Sequence, residues 1–404
     1  MNLLYNVSIF SLASSLFSDS PLLCNYFSSS HRKISIQNSY FQNYIKPIYY
    51  SFESKTKFKI SSCNIHNFLD QAIHADRNIE IDNQQIFSQI SSIKTPFEPI
   101  YVIKCNFMSI YSRFCSGGAI LSFSSLTVID CLFNGCSTIR AGGAIACYSK
   151  LNMSNVNIQR CQALCSSSIY LDSYHKVEAI FNSVSTTKCN SKMSNGAITV
   201  RSPTNFRFTY SNLSYCENEG FYCGIWIDKS NVSVHFSFFC HNISPDINGG
   251  ITSIFTRRLV VDYTMFIDLK LKAPNKYGAV SIYIDTNKDR NSTISNCVFN
   301  YPDTYSASIH VRTGFSVTIS TCCFFCPENS ERKGGLSNFQ NDNVFGTNCE
   351  LIKNKQKKQM VDAFLYKLNK NNEQNIFPKD KFHLLYNLLP LLFAIIFSIL
   401  FIIL

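Results

Sequence analysis

The chain has 404 residues, with 37 Lys and Arg, 26 Asp and Glu, and 18 Cys. Charged residues make up 16% and apolar ones 46%, which excludes wholesale disorder, and 34 Phe with 21 Tyr beside one Trp lean the composition toward strands. The net charge of +11 sits at the ends, whereas residues 61–350 carry 23 basic against 21 acidic groups. The body therefore lacks the basic stripe of a nucleic-acid binder, and no nucleic-acid partner is expected.

Residues 3–17 (LLYNVSIFSLASSLF) are mostly apolar, and Ala13-Ser14-Ser15 resembles a small-residue cleavage site, so residues 1–18 read as a candidate signal peptide. No Lys or Arg precedes that run, and a leaderless chain stays open beside it. Residues 19–60 read as an N-terminal cap or irregular segment.

Residues 61–350 contain an internal repeat. Gly117-Gly118-Ala119-Ile120 recurs as Gly142-Gly143-Ala144-Ile145. Further copies run through Ser167-Ser168-Ile169, Gly196-Ala197-Ile198, Gly224-Ile225, Gly249-Gly250-Ile251, Gly278-Ala279-Val280, Ala307-Ser308-Ile309 and Gly334-Gly335-Leu336, at steps of 24 to 29 residues. An earlier degenerate turn lies around Ala72-Ile73. An apolar unit precedes most copies, as at Cys105-Asn106-Phe107, Cys131-Leu132-Phe133, Phe238-Phe239-Cys240 and Cys322-Cys323-Phe324. The stretches between are short, alternating and β-branched, as at Leu126–Ile129 and Ser316–Ile319. This period with this propensity predicts an all-β solenoid, a right-handed parallel β-helix of roughly nine stacked coils. Phe107 is expected near Phe133 and Ile120 near Ile145, in inward columns. The glycines belong where φ must be positive or backbones crowd.

These units resemble the repeats of the polymorphic outer membrane proteins, in which GGA[ILV] alternates with FxxN. The first half is best kept at Gly117–Ile120 and Gly142–Ile145. In the second, Phe239–Asn242 keeps the Asn and Phe133–Cys136 replaces it with Cys. The resemblance covers roughly residues 60–350. It implies a surface-displayed right-handed β-helix acting in adhesion or recognition of protein or carbohydrate partners. Bacterial members end in a membrane β-barrel, whereas this chain ends in an apolar segment, as a eukaryotic-type variant would.

Several cysteines recur one coil apart, and the spacing pairs Cys105 with Cys131, Cys136 with Cys161, Cys165 with Cys189, Cys189 with Cys216, and Cys216 with Cys240. Stacked positions are close enough for disulfides, but their side chains point the same way, so a column of buried free thiols stands as the alternative. Cys323-x-x-Cys326 lacks a second ligand pair, and no metal or cofactor is expected. Six glycosylation sequons occur, at Asn6, Asn152, Asn212, Asn231, Asn242 and Asn291. A polysaccharide lyase or hydrolase would need convergent carboxylates. Asp172 and Asp228 fall in equivalent places two coils apart, with Val200 on the coil between and Asp285 displaced along its own. His175, His235, His241 and His310 are scattered. The census favours a non-catalytic binding protein, with a carbohydrate-active enzyme as the alternative.

Residues 351–383 carry eight Lys against three acids and read as a polar linker. Leu384–Leu404 is an uncharged run of 21 residues, long enough as a helix to span about 30 Å of hydrocarbon, which makes membrane lipid a partner. A leader upstream would put the body outside the cell, and the cysteine content and sequons together favour this single-pass, cell-surface arrangement. Without one, the chain is tail-anchored with a cytosolic body, its Lys-rich linker on anionic lipid.

Overall fold

The structure, a computed structural model, describes residues 4–7, 23–25, 32–43, 47–52, 56–76, 99–173, 177–193, 196–245, 249–272, 279–285, 292–300, 307–311, 316–325, 332–333, 336–339, 343–345 and 349. Those residues form a parallel β-solenoid. Every strand pair runs parallel, in sheets of 23, 12 and 7 strands. Around one coil the chain passes through Leu126–Ile129, turns at Asp130, continues through Leu132–Asn134, turns at Gly135, follows Ser137–Ala141, crosses the Gly142-Gly143 turn and runs through Ile145–Cys147. The largest sheet is bent. It holds two ladders, joined where Leu151–Gln159 and Glu178–Thr187 run unbroken through the bend.

In-register stacking turns the sequence period into columns. Ile73, Ile120, Ile145, Ile169, Ile198, Ile225, Ile251, Ile282 and Ile309 follow one another in a single buried column. A second column runs Phe41, Ile65, Phe107, Phe133, Ile158, Thr186, Leu213, Phe239, Phe266, Phe299 and Phe324. Its rings lie flat on one another, with Phe107 and Phe133 at 4.7 Å and 2°, and Phe266 and Phe299 at 5.1 Å and 4°. Each buried side chain of this size contributes about 1.5–3 kcal/mol by leaving water.

The paired glycines answer two separate demands. Gly117 and Gly142 take φ of 76° and 74°, a region costly for any residue with a Cβ. At Gly118 and Gly143 the next coil comes too close, since an added Cβ would meet Gly143 O and Ser167 O at 2.0 and 2.1 Å. Gly196 repeats the first role, and Gly224 and Gly250 the second.

Several sequence expectations are corrected. The solenoid begins before residue 61, because Arg32–Gln37 and Tyr40–Gln42 already pair with Thr56–Ser61 and Asn64–His66. Leu4–Val7 also pairs with Lys33–Ile36. Gly278 lies outside the described residues. The residue stacked on Ile251 is Ile282, two positions beyond Val280, and the register shifts again between Ala279 and Ile282 on the following coil. Leu336 is not a turn-unit residue: it pairs with Ser316 in the largest sheet, while Arg332 follows Ile309. The chain divides into two units, Met1–Gln356 and Lys357–Leu404, and the second lies outside the described residues, as do the 351–383 linker (but not its neighbour Cys349) and the 384–404 apolar run. No helix among the described residues is long and apolar enough to cross a membrane.

Candidate functional site

The bend of the large sheet is made by one left-handed residue per coil: Asn38, Ser62, Lys104, Asp130, Asn155, Ser183, Tyr210, Phe236, Tyr263, Asn296 and Thr321, with φ between 47° and 56°. An aromatic residue in that conformation is strained by about 1–3 kcal/mol. Three consecutive coils nevertheless place one there. Tyr210 stacks on Phe236 at 5.2 Å and 4°, and Phe236 on Tyr263 at 5.0 Å and 7°. Aromatic pairs contribute about 0.5–1.5 kcal/mol beyond their burial, which offsets much of the strain.

The next corner on the same coils is aromatic as well. Tyr215 stacks on His241 at 4.8 Å, and His241 Nδ1 lies 2.6 Å from Asp268 Oδ2. Between the two corners lie the short strands Asn212–Ser214, Phe238–Cys240 and Met265–Ile267. Phe239 and Phe266 point inward there, while Phe238 is 36% exposed and Tyr215 54%. The result is an outer face flanked by rings, with an exposed Phe between them. Tyr210, Phe236 and Tyr263 are half-buried, and each Tyr offers an apolar body with a polar tip. Burial pushes the Tyr215 hydroxyl above its ordinary range and the Cys240 thiol up to about 12, so both stay protonated at neutral pH.

The acidic residues flagged in the sequence meet in a different column. Asp172, Arg201, Asp228, Ile254 and Asp285 follow one another in the 12-stranded sheet. The coil between the two acids therefore offers Arg201 rather than Val200, which faces inward, and Asp285 is in line with the others. Asp172 Oδ2 accepts from the Tyr170 hydroxyl at 3.0 Å and pairs with Arg201 at 3.4 Å. The Arg201 guanidinium lies 5.8 Å from the Trp226 ring centroid. Asp172 and Asp228 are each only 5% exposed. Burial raises both carboxyls, against the pull of Arg201 on the first and of Lys229 and Arg201 on the second. Raised carboxyls are what a general acid needs. Here the charged neighbours bind one another and leave little surface for a substrate.

The other flagged residues divide into core and surface. Phe107, Phe133 and the turn glycines Gly117, Gly118, Gly142, Gly143, Gly196, Gly224, Gly249 and Gly250 build the coil. Among the sequons, Asn152, Asn212 and Asn231 are half-buried on outer faces, and Asn291 lies outside the described residues. Asn242 is not an available acceptor. It is fully buried, its amide donating to Leu213 O and Gly249 O and its Oδ1 accepting from Cys216 N. The thiol column runs Cys136, Cys161, Cys189, Cys216, then Asn242. Cys165 instead pairs with Ala141, and Cys240 with Ser214, so the expected pairings Cys165–Cys189 and Cys216–Cys240 do not form. The four stacked thiols are free and buried. A disulfide joins Cys323 to Cys349, with Cα atoms 5.4 Å apart, which takes Cys323 out of any metal site, and no cluster of three metal-ligating side chains exists among the described residues.

No protein-family model, curated protein or solved structure matches this chain. The aromatic corners went unread in the sequence, although Tyr210, Phe236 and Tyr263 recur at the coil period and that recurrence is the signal that reveals them.

Proposed function

We propose that this chain is a membrane-anchored recognition protein, a right-handed β-helix of the polymorphic outer membrane protein type, that binds carbohydrate on the aromatic face of residues 210–268. The observation that carries the reading is the outer stack Tyr210–Phe236–Tyr263 with exposed Phe238 and Tyr215 beside it. The hydrocarbon faces of sugars pack on exposed rings such as Phe238 beside the stack, and the polar rim supplies hydrogen bonds that fix orientation. The solenoid supports this by holding the rings on rigid strands at a fixed coil spacing. The uncharged Leu384–Leu404 supports a membrane anchor. The test is binding of the full chain to an array of neutral and acidic oligosaccharides. Saccharide binding that falls at least tenfold in Phe238→Ser and Tyr215→Ala, with melting unchanged, is the expected result. An array with no bound saccharide refutes the reading.

A second reading concerns topology. The free, buried thiols of the 136–216 column and the inaccessible Asn242 favour a tail-anchored chain with a cytosolic body. Protease and glycosidase treatment of intact cells separates the two. Digestion of the body from outside, with loss of glycan mass, supports surface display, and full protection supports the cytosolic arrangement.

A further inference from the structure

Beside the aromatic corner, the other ladder of the large sheet carries a hollow lined by Asn205, Arg207, Asn231, Ser233, Arg258 and Val260. Register fixes their arrangement. Asn205, Asn231 and Arg258 are successive members of one outward column, and Arg207, Ser233 and Val260 of the next. The two arginines thus occupy opposite corners of a two-coil rectangle, with Asn231 and Ser233 as its floor. Strand spacing and rise put their Cα atoms roughly 12 Å apart, a span that two arginine side chains can bridge together.

Neither guanidinium has an ion pair or hydrogen bond among the described residues, and both side chains are exposed. Glu178, on the first of these columns, and Asp262, one column beyond the second, accept hydrogen bonds from neutral groups. Glu178 Oε1 accepts from Asn205 Nδ2 at 3.2 Å, and Asp262 Oδ1 accepts from Ser295 Oγ and Asn296 Nδ2 at 3.0 and 2.9 Å. Asn231 Nδ2 donates to Asn205 Oδ1 at 3.1 Å, so the asparagines are held in a ladder from Glu178 downward. No carboxylate among the described residues forms an ion pair with either guanidinium, and both border the same polar floor. Burial holds His235, one column further on, below its ordinary range against the pull of Asp262, and Arg207 adds to the lowering.

We infer that this hollow is an anion subsite and that the saccharide bound on the adjoining aromatic face is an acidic one, bearing carboxylate or sulfate groups. The inference rests on the carbohydrate reading and deepens it. Arginine forks match carboxylate and sulfate oxygens in pairs, and the Ser233 hydroxyl and Asn231 amide complete a polar cradle for ring hydroxyls. The Tyr210–Phe236–Tyr263 stack borders the same strands, at the bend that follows Thr209, His235 and Asp262. A sugar chain lying along the axis would meet rings on one flank and guanidinium groups on the other.

The test measures binding of the full chain in detergent to four probes: an oligogalacturonate, a heparin oligosaccharide, a neutral cello-oligosaccharide and polyglutamate. Wild type is compared with Arg207→Gln/Arg258→Gln and Arg207→Lys/Arg258→Lys, with melting temperature as the folding control. The expected result is tightest binding to one or both acidic saccharides, weakened at least tenfold by the Gln pair and less by the Lys pair. Preference for galacturonate over heparin identifies carboxylate as the anion, and the reverse identifies sulfate. Binding of the neutral saccharide alone, or equal loss of all saccharides in the Gln pair, overturns the acidic subsite while leaving carbohydrate recognition standing. Polyglutamate bound as tightly as the acidic sugars overturns it in favour of a general polyanion patch. Absence of all saccharide binding removes both readings together.

Discussion

The coils of residues 100–172 and those of residues 205–271 are built alike inside and differently outside. Both stack flat Phe rings in the same inner column, Phe107 on Phe133 in the first and Phe239 on Phe266 in the second. Both bend at a left-handed residue with φ near 50°. In the first region that corner is polar, and Asn155 Nδ2 donates to Asp130 Oδ1 at 2.7 Å. In the second it is a stack of Tyr, Phe and Tyr. The bend is thus imposed by the coil path and is tolerant of what it carries, which leaves the corner free to take on surface chemistry.

The largest effect expected from breaking this comparison lies in the parts the two regions share. Gly143→Val forces a Cβ onto Ser167 O and should cost more than about 4 kcal/mol, abolishing the cooperative urea transition. Phe266→Ala opens a cavity in the inner column and should cost about 3–5 kcal/mol, read as a lowered urea midpoint. At the outer corner the effects shrink and separate. Phe236→Ala loses two stacks and keeps the left-handed strain, whereas Phe236→Gly loses the stacks and relieves the strain. The Gly variant should be more stable than the Ala variant by about 1 kcal/mol, while both weaken saccharide binding. Equal stability of the two would show that the corner strain is not real.

The smallest expected effect is a pH dependence at Asp228. Its folded-state carboxyl is raised by burial, so the folded chain keeps a proton there that the unfolded chain has already released. Stability from this group is therefore full on the acid side and falls as pH rises from the ordinary carboxylate range through the raised value. Asp228→Asn removes that loss. Its urea midpoint should exceed that of wild type at neutral pH, with the difference vanishing toward about pH 3.

The inner columns were legible in the sequence because Ile and Phe recur beside glycines that only one backbone path can use. Legibility ended where a unit was imitated. Gly278-Ala279-Val280 has the right letters, yet the coil delivers Ile282 to the column. The acid column was blurred by a slip of one residue at Val200, and in a strand one residue reverses the face. The aromatic corner was hidden for a different reason. Tyr and Phe are poor left-handed residues, so propensity argues against the conformation that stacking on neighbouring coils sustains.

In-register stacking also bears on how such a molecule changes over generations. Asn190 and Glu217 occupy one position on successive coils, as do Ile198 and Ile225, and Phe206 and Val232. Excising residues 189–215 would join Lys188 to Cys216, with Ile169 then resting on Ile225 and the strand ends meeting in the same order. Length in this architecture is a heritable quantity that moves in whole steps, and duplicating the aromatic-cornered coils would extend the aromatic face without any new residue.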